Sequence, residues 1–364
     1  MELRPDRPIL IGGVLKDYDW GVVDGLAAWT GQRDGRRQAE LWFGAHASSP
    51  SPLAGDHSGL ITDVLAPEDV PLLVKLLAAE TPLSLQVHPD RATAIAMASE
   101  PGSRGLLADE NEKTEMLVAL APSTVLVGWR PPVQAARLLG CAGVSPEVLA
   151  ALDSGDSALA AALLLGSEAM SRTLEQWHSA LTECGLDEVT VIAMSAVARR
   201  FGEDPGVAVA TLLDARRLSP GEAVYLPAGV PHAYVHGMGA EVMTSSDNVL
   251  RLGLTHKTVS VEHALEAMRR DRTGTLLSVP GDGRYSVPGA PFEIVSVGHE
   301  PVEFEGGRYR LVLPVSGSAA ADTGTDVATA PQGLALALTS RTPTVRITAS
   351  GHTLVAVALA QDQV

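Results

Sequence analysis

Two kinds of apolar spacing alternate along the chain. Residues 71–90, PLLVKLLAAETPLSLQVHPD, form two short apolar runs divided by Glu80-Thr81-Pro82, and both predict strands. NEKTEMLVALAP, from Asn111, and the TVLVGW that follows read the same way. Over residues 132–217 the spacing changes to three and four, the repeat of a helix face. Val133-Ala136-Leu138-Leu139, Leu174-Trp177-Leu181 and Val191-Met194-Val197-Ala198 carry that repeat. Ser145-Pro146 supplies a helix start, and Gly185 interrupts the run. A short helix is also predicted over 91–98. Strands resume at Ala223, and residues 258–270 predict one more helix with Val261, Leu265 and Met268 inward.

After Pro280-Gly281-Asp282-Gly283 come FEIVSVGH, YRLVLPVSG, GLALALTS, TVRITASG and HTLVAVAL, each closed by a turn signal. The expected architecture is mainly β with an α-helical insertion. Residues 1–130 begin one β unit, 131–217 are the helical insertion, 218–280 complete the unit with a trailing helix, and 281–364 form a second, smaller β unit. No repeat of 20 to 50 residues is present, which excludes solenoids and propellers.

Composition narrows the function. The 364 residues carry a net charge of -16, against the basic footprint that nucleic acid requires. An anionic substrate would need lysines and arginines gathered in space, because no basic run occurs in the sequence. The longest apolar run, residues 158–165, is far short of a membrane span, and the first ten residues lack a secretory apolar core. The two cysteines, Cys141 and Cys184, form no CxxC pair. Reduced thiols and a cytoplasmic location are the expectation. Monomer and dimer are equally compatible with the sequence.

The polar residues concentrate in residues 221–257, GEAVYLPAGVPHAYVHGMGAEVMTSSDNVLRLGLTHK. A Gly-Pro turn feeds a strand on which His232 and Tyr234 share a face. The same period places Ser84, Gln86 and His88 together, and Lys113 with Glu115. Two imidazoles, a carboxylate and an amide oxygen suit a divalent metal such as zinc with a position left open, provided the strands converge. Singly, each piece has a plainer meaning. A lone strand histidine is more often structural than a ligand, Lys113 and Glu115 fit a solvated face, and Tyr18-x-Trp20 and Trp42-Phe43 read as core.

The spacing Gly221-x5-Pro227-x-Gly229-x2-His232 resembles the second motif of the cupin superfamily, with His236 at the usual Asn. YDWG from Tyr18, AELWFGAH from Ala39, LSLQVHPD, DENEKTEM from Asp109, VPHAYVHG and SSDNVLRLGLTHK together resemble type I mannose-6-phosphate isomerases, in order and spacing. The resemblance implies two cupin (jelly-roll) β units with a helical domain inserted in the first. It implies one Zn2+ per chain on Gln86, His88, Glu115 and His232. Catalytic roles fall to Arg251, Glu241, Lys113 and Lys257, and substrate contacts to Lys75, Ser84, Tyr234, Asp247, Arg251 and Lys257. The chain departs from the family where Lys16-Asp17 precede Tyr18 in place of a glutamine. Glu112-Lys113-Thr114-Glu115 replaces His-Lys-Pro-Glu, so Glu112 brings an extra carboxylate toward the site, and Arg91 follows HPD.

The implied activity is metal-dependent interconversion of D-mannose 6-phosphate and D-fructose 6-phosphate through an enediolate. It requires a base, charge stabilisation and a phosphate anchor. Glu241 is the favoured base; Lys113, His88 and a metal-bound hydroxide are alternatives. Rival functions are isomerisation of a free or differently phosphorylated sugar, a non-catalytic sugar-phosphate-binding cupin, and an iron oxygenase. Gln86-x-His88 stands where an oxygenase more often has His-x-His.

Overall fold

The computed structural model describes residues 3–100, 105–141, 143–166, 184–202 and 204–359. The predicted Leu174-Trp177-Leu181 helix face lies outside them. Strands Leu72–Ala79, Leu85–Val87, Glu115–Ala119 and Ser123–Trp129 form where the apolar runs place them, and helix Arg91–Ser99 follows the second. Asp90 caps that helix by accepting from Thr93 N at 2.9 Å.

The strand His232–Thr244 organises the first β unit. Its second half pairs antiparallel with Leu72–Ala79 on one side and Glu115–Ala119 on the other. Its first half pairs instead with Ser123–Trp129 and, at His232, with Gln86. One strand thereby serves two sheets. The crossing falls at Gly237, whose φ is 131° and where a Cβ would lie 2.1 Å from Ser123 Oγ. Only glycine permits that bend and that approach.

The helical insertion holds helices Pro132–Cys141, Pro146–Asp153, Ser157–Leu165, Glu188–Phe201 and Gly206–Ala210. Ser145 and Pro146 start the second as predicted, and Asp187 caps the fourth through Thr190 N. The inward face of Pro132–Cys141 is Ala135, Leu138 and Leu139, whereas Val133 is 83% exposed. Val133 falls in the first turn, ahead of the stripe that packs. Met194, Val197 and Ala198 are buried in the same core as Leu85, Val87 and Ala233, which seats the insertion on the β unit. The trailing helix is shorter than predicted, Val261–Ala267, and it buries Ala264 and Ala267. Met268 is buried just beyond its end.

The tail folds as predicted into a second β unit of two sheets, one of which contains Phe292–Val297, Arg310–Pro314, Leu334–Leu338 and Thr353–Ala358. The strand Ile9–Gly12 pairs with Leu334–Leu338, so the start of the chain completes the sheet of this last unit. A shared apolar core, including Phe43, Val74 and Met116 from one unit and Phe292, Leu311 and Leu354 from the other, joins the two.

Cys184 overturns the expectation of reduced thiols, because it is disulfide-bonded. Two cysteines allow a single intrachain pairing, but their spacing carries no signal of whether it forms. No helix among the described residues is long and apolar enough to cross a membrane.

Candidate metal centre and substrate cavity

His88, Glu115 and His232 arrive from three different strands or strand ends and place their ligand atoms within 4.8 Å of one another, all buried. His88 Nε2 stands 3.2 Å from Glu115 Oε1, and His232 Nε2 stands 3.3 Å from Glu115 Oε2. The remaining nitrogen of each ring is tied to a backbone carbonyl, His88 Nδ1 to Asn248 O at 2.6 Å and His232 Nδ1 to Val230 O at 3.0 Å. Those bonds use the Nδ1 protons and leave both Nε2 atoms as lone-pair donors beside Glu115. His88 Nε2 and Glu115 Oε2 are buried without a hydrogen bond among the described residues. A cation fits this set, because it would satisfy polar atoms that the protein leaves without partners. Gln86 lies alongside, with its amide 3.2 Å from His232 Nε2 and its oxygen 3.4 Å from Ser84 Oγ. All four predicted ligands therefore meet.

Local charges suit such an ion. Burial, with Lys113 next, pushes the His88 imidazole down to about 4, so it stays neutral. Burial alone would raise the Glu115 carboxyl, yet Lys113 holds it well below the usual range. Lys113 Nζ is 2.8 Å from Glu115 Oε1, the contact responsible.

A cavity of about 630 Å³ opens beside these residues. Lys75, Ser84, Lys113, Tyr234, Glu241, Asp247, Arg251 and Lys257 all line it, so every predicted catalytic and substrate residue reaches one space. Pairing explains several placements. Glu241 sits opposite Lys75, Lys75 opposite Trp42, and Arg251 opposite Gln86. Glu241 Oε2 and Lys75 Nζ are 3.2 Å apart. Burial and the nearby Glu115 raise the Glu241 carboxyl, more than Lys75 lowers it. Lys75 is held above the usual lysine range despite its burial, by Glu40, Glu241 and Glu115. Tyr234 is pushed well above the usual phenol range by burial and by Glu241, and its hydroxyl has no hydrogen-bond partner among the described residues. Arg251 is lowered by burial, and its Nε likewise lacks a partner among them. Lys257 is exposed at the rim, with Nζ 5.4 Å from the Tyr18 ring.

Three sequence expectations change here. Tyr18 and Trp20 are cavity wall rather than plain core, Trp42 packs with buried Leu73 and Met243 and also lines the cavity, and Phe43 is core as expected. Strand alternation places Trp42 and Phe43 on opposite faces, which their adjacency in an apolar word conceals. Glu112 does not line the cavity; its carboxylate accepts from Thr114 Oγ1 at 3.0 Å. Residues that sequence reasoning missed are Glu40, whose Oε2 accepts from Trp42 Nε1 at 2.6 Å, and His46, whose Nε2 is 2.9 Å from Asp247 Oδ2. Both lie in AELWFGAH, Glu40 at the start of the strand Glu40–Phe43 and His46 three residues past its end, so the signal was a polar residue on each flank of an apolar word.

Known proteins are similar to this chain. A family model described as phosphomannose isomerase type I, catalytic domain, matches residues 9–132. The mannose-6-phosphate isomerase of Escherichia coli K12 is 32% identical over 279 residues, 68% of this chain and 71% of that protein. Mannose-6-phosphate isomerase 1 of Arabidopsis thaliana is 28% identical over 295 residues, 68% of each. The crystal structure of the Salmonella typhimurium mannose 6-phosphate isomerase, bound to fructose 6-phosphate and zinc, has the same fold. Its TM-score is 0.80 at 22% identity, covering 97% of this chain and 100% of that one.

Proposed function

The chain belongs to the type I phosphomannose isomerase family, and from that premise we propose that it interconverts D-mannose 6-phosphate and D-fructose 6-phosphate. One zinc ion per chain would sit on Gln86, His88, Glu115 and His232. The observation that carries this reading is the convergence of His88, Glu115 and His232 beside a cavity that Glu115 and the buried Glu241–Lys75 pair line. The same reading divides the chain into a catalytic cupin unit (1–130 and 218–280), an inserted helical domain (131–217) and a smaller cupin-like unit (281–364), with the exception that the strand Ile9–Gly12 joins the sheet of the last unit. A cytoplasmic location follows from the substrate, since a phosphorylated sugar does not cross a bilayer unaided.

The reaction moves a proton from C2 to C1 and a hydroxyl proton from O2 to O1, so that the carbonyl moves from C1 to C2. When bound, the metal supplies Lewis acidity that disperses the enediolate charge. Glu241 takes the C2 proton and returns it to C1. Its raised carboxyl brings it toward neutral pH, where a base is most effective. Lys75 offsets the charge on Glu241 and fixes its position. Lys113 keeps Glu115 ionised and offers its remaining protons to the sugar oxygens. Arg251 has a free Nε–H among the described residues and cannot act as a base, so it faces developing negative charge or phosphate. Lys257 at the rim meets the phosphate. Tyr234, protonated throughout the working pH range, and Asp247, kept ionised, serve as donor and acceptor when the hexose ring opens. Ser84 contacts the sugar from beside Gln86.

The test is isomerisation of mannose 6-phosphate before and after exhaustive chelation, followed by zinc addition. Loss and return of activity are expected. Full activity in metal-free protein would overturn the reading.

A further inference from the structure

Of the cations lining the cavity, Arg200 alone among the described residues comes from the helical insertion, at the end of helix Glu188–Phe201. Lys75 and Lys113 are committed to Glu241 and Glu115 inside the site. Arg200 is differently placed. Its Nη1 donates to Thr81 Oγ1 at 2.6 Å and its Nη2 to Asp19 Oδ2 at 2.8 Å, while its Nε is buried without a hydrogen-bond partner among the described residues. The Arg200 side chain is 22% exposed, but that of Asp19 is 75% exposed. A bridge to so exposed a carboxylate contributes little and yields readily to a better acceptor.

The surroundings place Arg200 at the same end of the cavity as Lys257. Arg200 holds Asp19, and Lys257 lies over the ring of Tyr18, so the two cations flank one turn. The chain just beyond Arg200 is tied to the loop that carries Lys257. Asp204 accepts from Gly206 N at 2.7 Å and from Thr255 N at 3.3 Å. Gly206 and Gly253 approach so closely that a Cβ on Gly253 would lie 2.7 Å from Gly206 Cα.

We propose that Arg200 is a phosphate anchor contributed by the helical insertion, exchanging Asp19 for the substrate's phosphate. The proposal rests on the sugar-phosphate reading above. A guanidinium offers paired donors that match phosphate oxygens, and the unpartnered Nε–H gives it a donor to spare. The exchange also answers the charge problem of the sequence. In a protein of net charge -16, an arginine neutralised by Asp19 in the empty site becomes available when a dianion arrives.

The rival role is a strap that only holds the insertion to the β unit, and two variants separate them. Both Arg200→Met and Asp19→Asn break the bridge to Asp19, and Arg200→Met also loses Thr81, so a strap predicts effects in the same direction, larger for Arg200→Met. An anchor predicts opposite effects. Arg200→Met should raise KM for mannose 6-phosphate and the inhibition constant of inorganic phosphate about tenfold each, with the loss falling on KM rather than kcat. Asp19→Asn should lower both constants, and Arg200→Lys should recover part of the loss. Unchanged constants in Arg200→Met, or a shift of Asp19→Asn in the same direction, would overturn the proposal. If the wild-type protein fails to turn over mannose 6-phosphate, the assigned reaction falls. Calorimetric binding of inorganic phosphate to wild type and Arg200→Met then still decides the role of Arg200.

Discussion

Glu241 and Lys75 face each other across paired strands, with Oε2 and Nζ 3.2 Å apart and both side chains buried. A buried ion pair of this kind adds little net stability, but removal of one partner strands the other charge. Lys75→Met should therefore destabilise the protein by about 3–5 kcal/mol, read as a lowered midpoint in denaturant. Glu241→Gln keeps the shape and removes the base, so kcat should fall roughly 10²–10⁴-fold with a smaller change in KM. A Glu241→Gln enzyme with near wild-type kcat would remove Glu241 from the proton transfer.

His46 governs the charge on Asp247. Ser48 N–H and Oγ both contact His46 Nδ1, which leaves the Nε2–H to donate to Asp247 Oδ2 at 2.9 Å. That bond is the main reason the Asp247 carboxyl lies below its usual value, ahead of the opposing effect of burial. A depressed folded-state value stabilises the protein above the ordinary carboxylate range, and the gain is lost as pH falls through it. In His46→Ala the carboxyl should move back up. The acidic limb of the kcat/KM profile should then shift to higher pH, as checked by pH–rate measurements.

Asn248 couples the metal centre to the loop over the cavity. Its side chain accepts from Ala108 N at 2.9 Å and donates to Asp109 O at 2.8 Å and Asn111 O at 2.9 Å, while its backbone oxygen meets His88 Nδ1. Asn248→Ala leaves those buried loop groups unmatched and should cost ~2–4 kcal/mol. Zinc affinity, measured by competition with a chelator, should weaken about tenfold or more as the hold on His88 loosens.

Gly237 is where one strand passes between two sheets. An alanine there would put Cβ 2.1 Å from Ser123 Oγ and 2.6 Å from Ser123 Cα, at a φ of 131°. Gly237→Ala should destabilise by roughly 2–4 kcal/mol, visible in thermal melts. Unaltered melting would mean that the crossing relaxes freely.

Zinc removal should lower the melting temperature as well as activity. Without the ion, the buried His88 Nε2 and Glu115 Oε2 have no hydrogen bonds among the described residues to compensate their desolvation. Adding zinc should restore the melting temperature in proportion to its excess over the dissociation constant.

Much of the site could be read from the sequence, because local rules reach that far. The period of two set Ser84, Gln86 and His88 on one face, and set Lys113 beside Glu115. Apolar spacing marked the helical insertion and its place between the halves of the β unit. Side-chain type offered two imidazoles, a carboxylate and an amide oxygen, and the resemblance to type I mannose-6-phosphate isomerases named them as ligands. What the sequence determined, then, was which residues could do chemistry and on which short elements they ride.

The tertiary structure decided which of them meet. Gln86 faces His232 and Arg251, and Glu241 faces Lys75, because strands far apart in sequence pair in one register. Only that register shows Tyr18, Trp20 and Trp42 as cavity wall, turns Glu112 away, and brings Arg200 from the insertion to Asp19. Periodicity reports the two faces of an element, but not what lies opposite each face. That choice belongs to sheet closure and to the packing of the insertion, which depend on the whole chain at once.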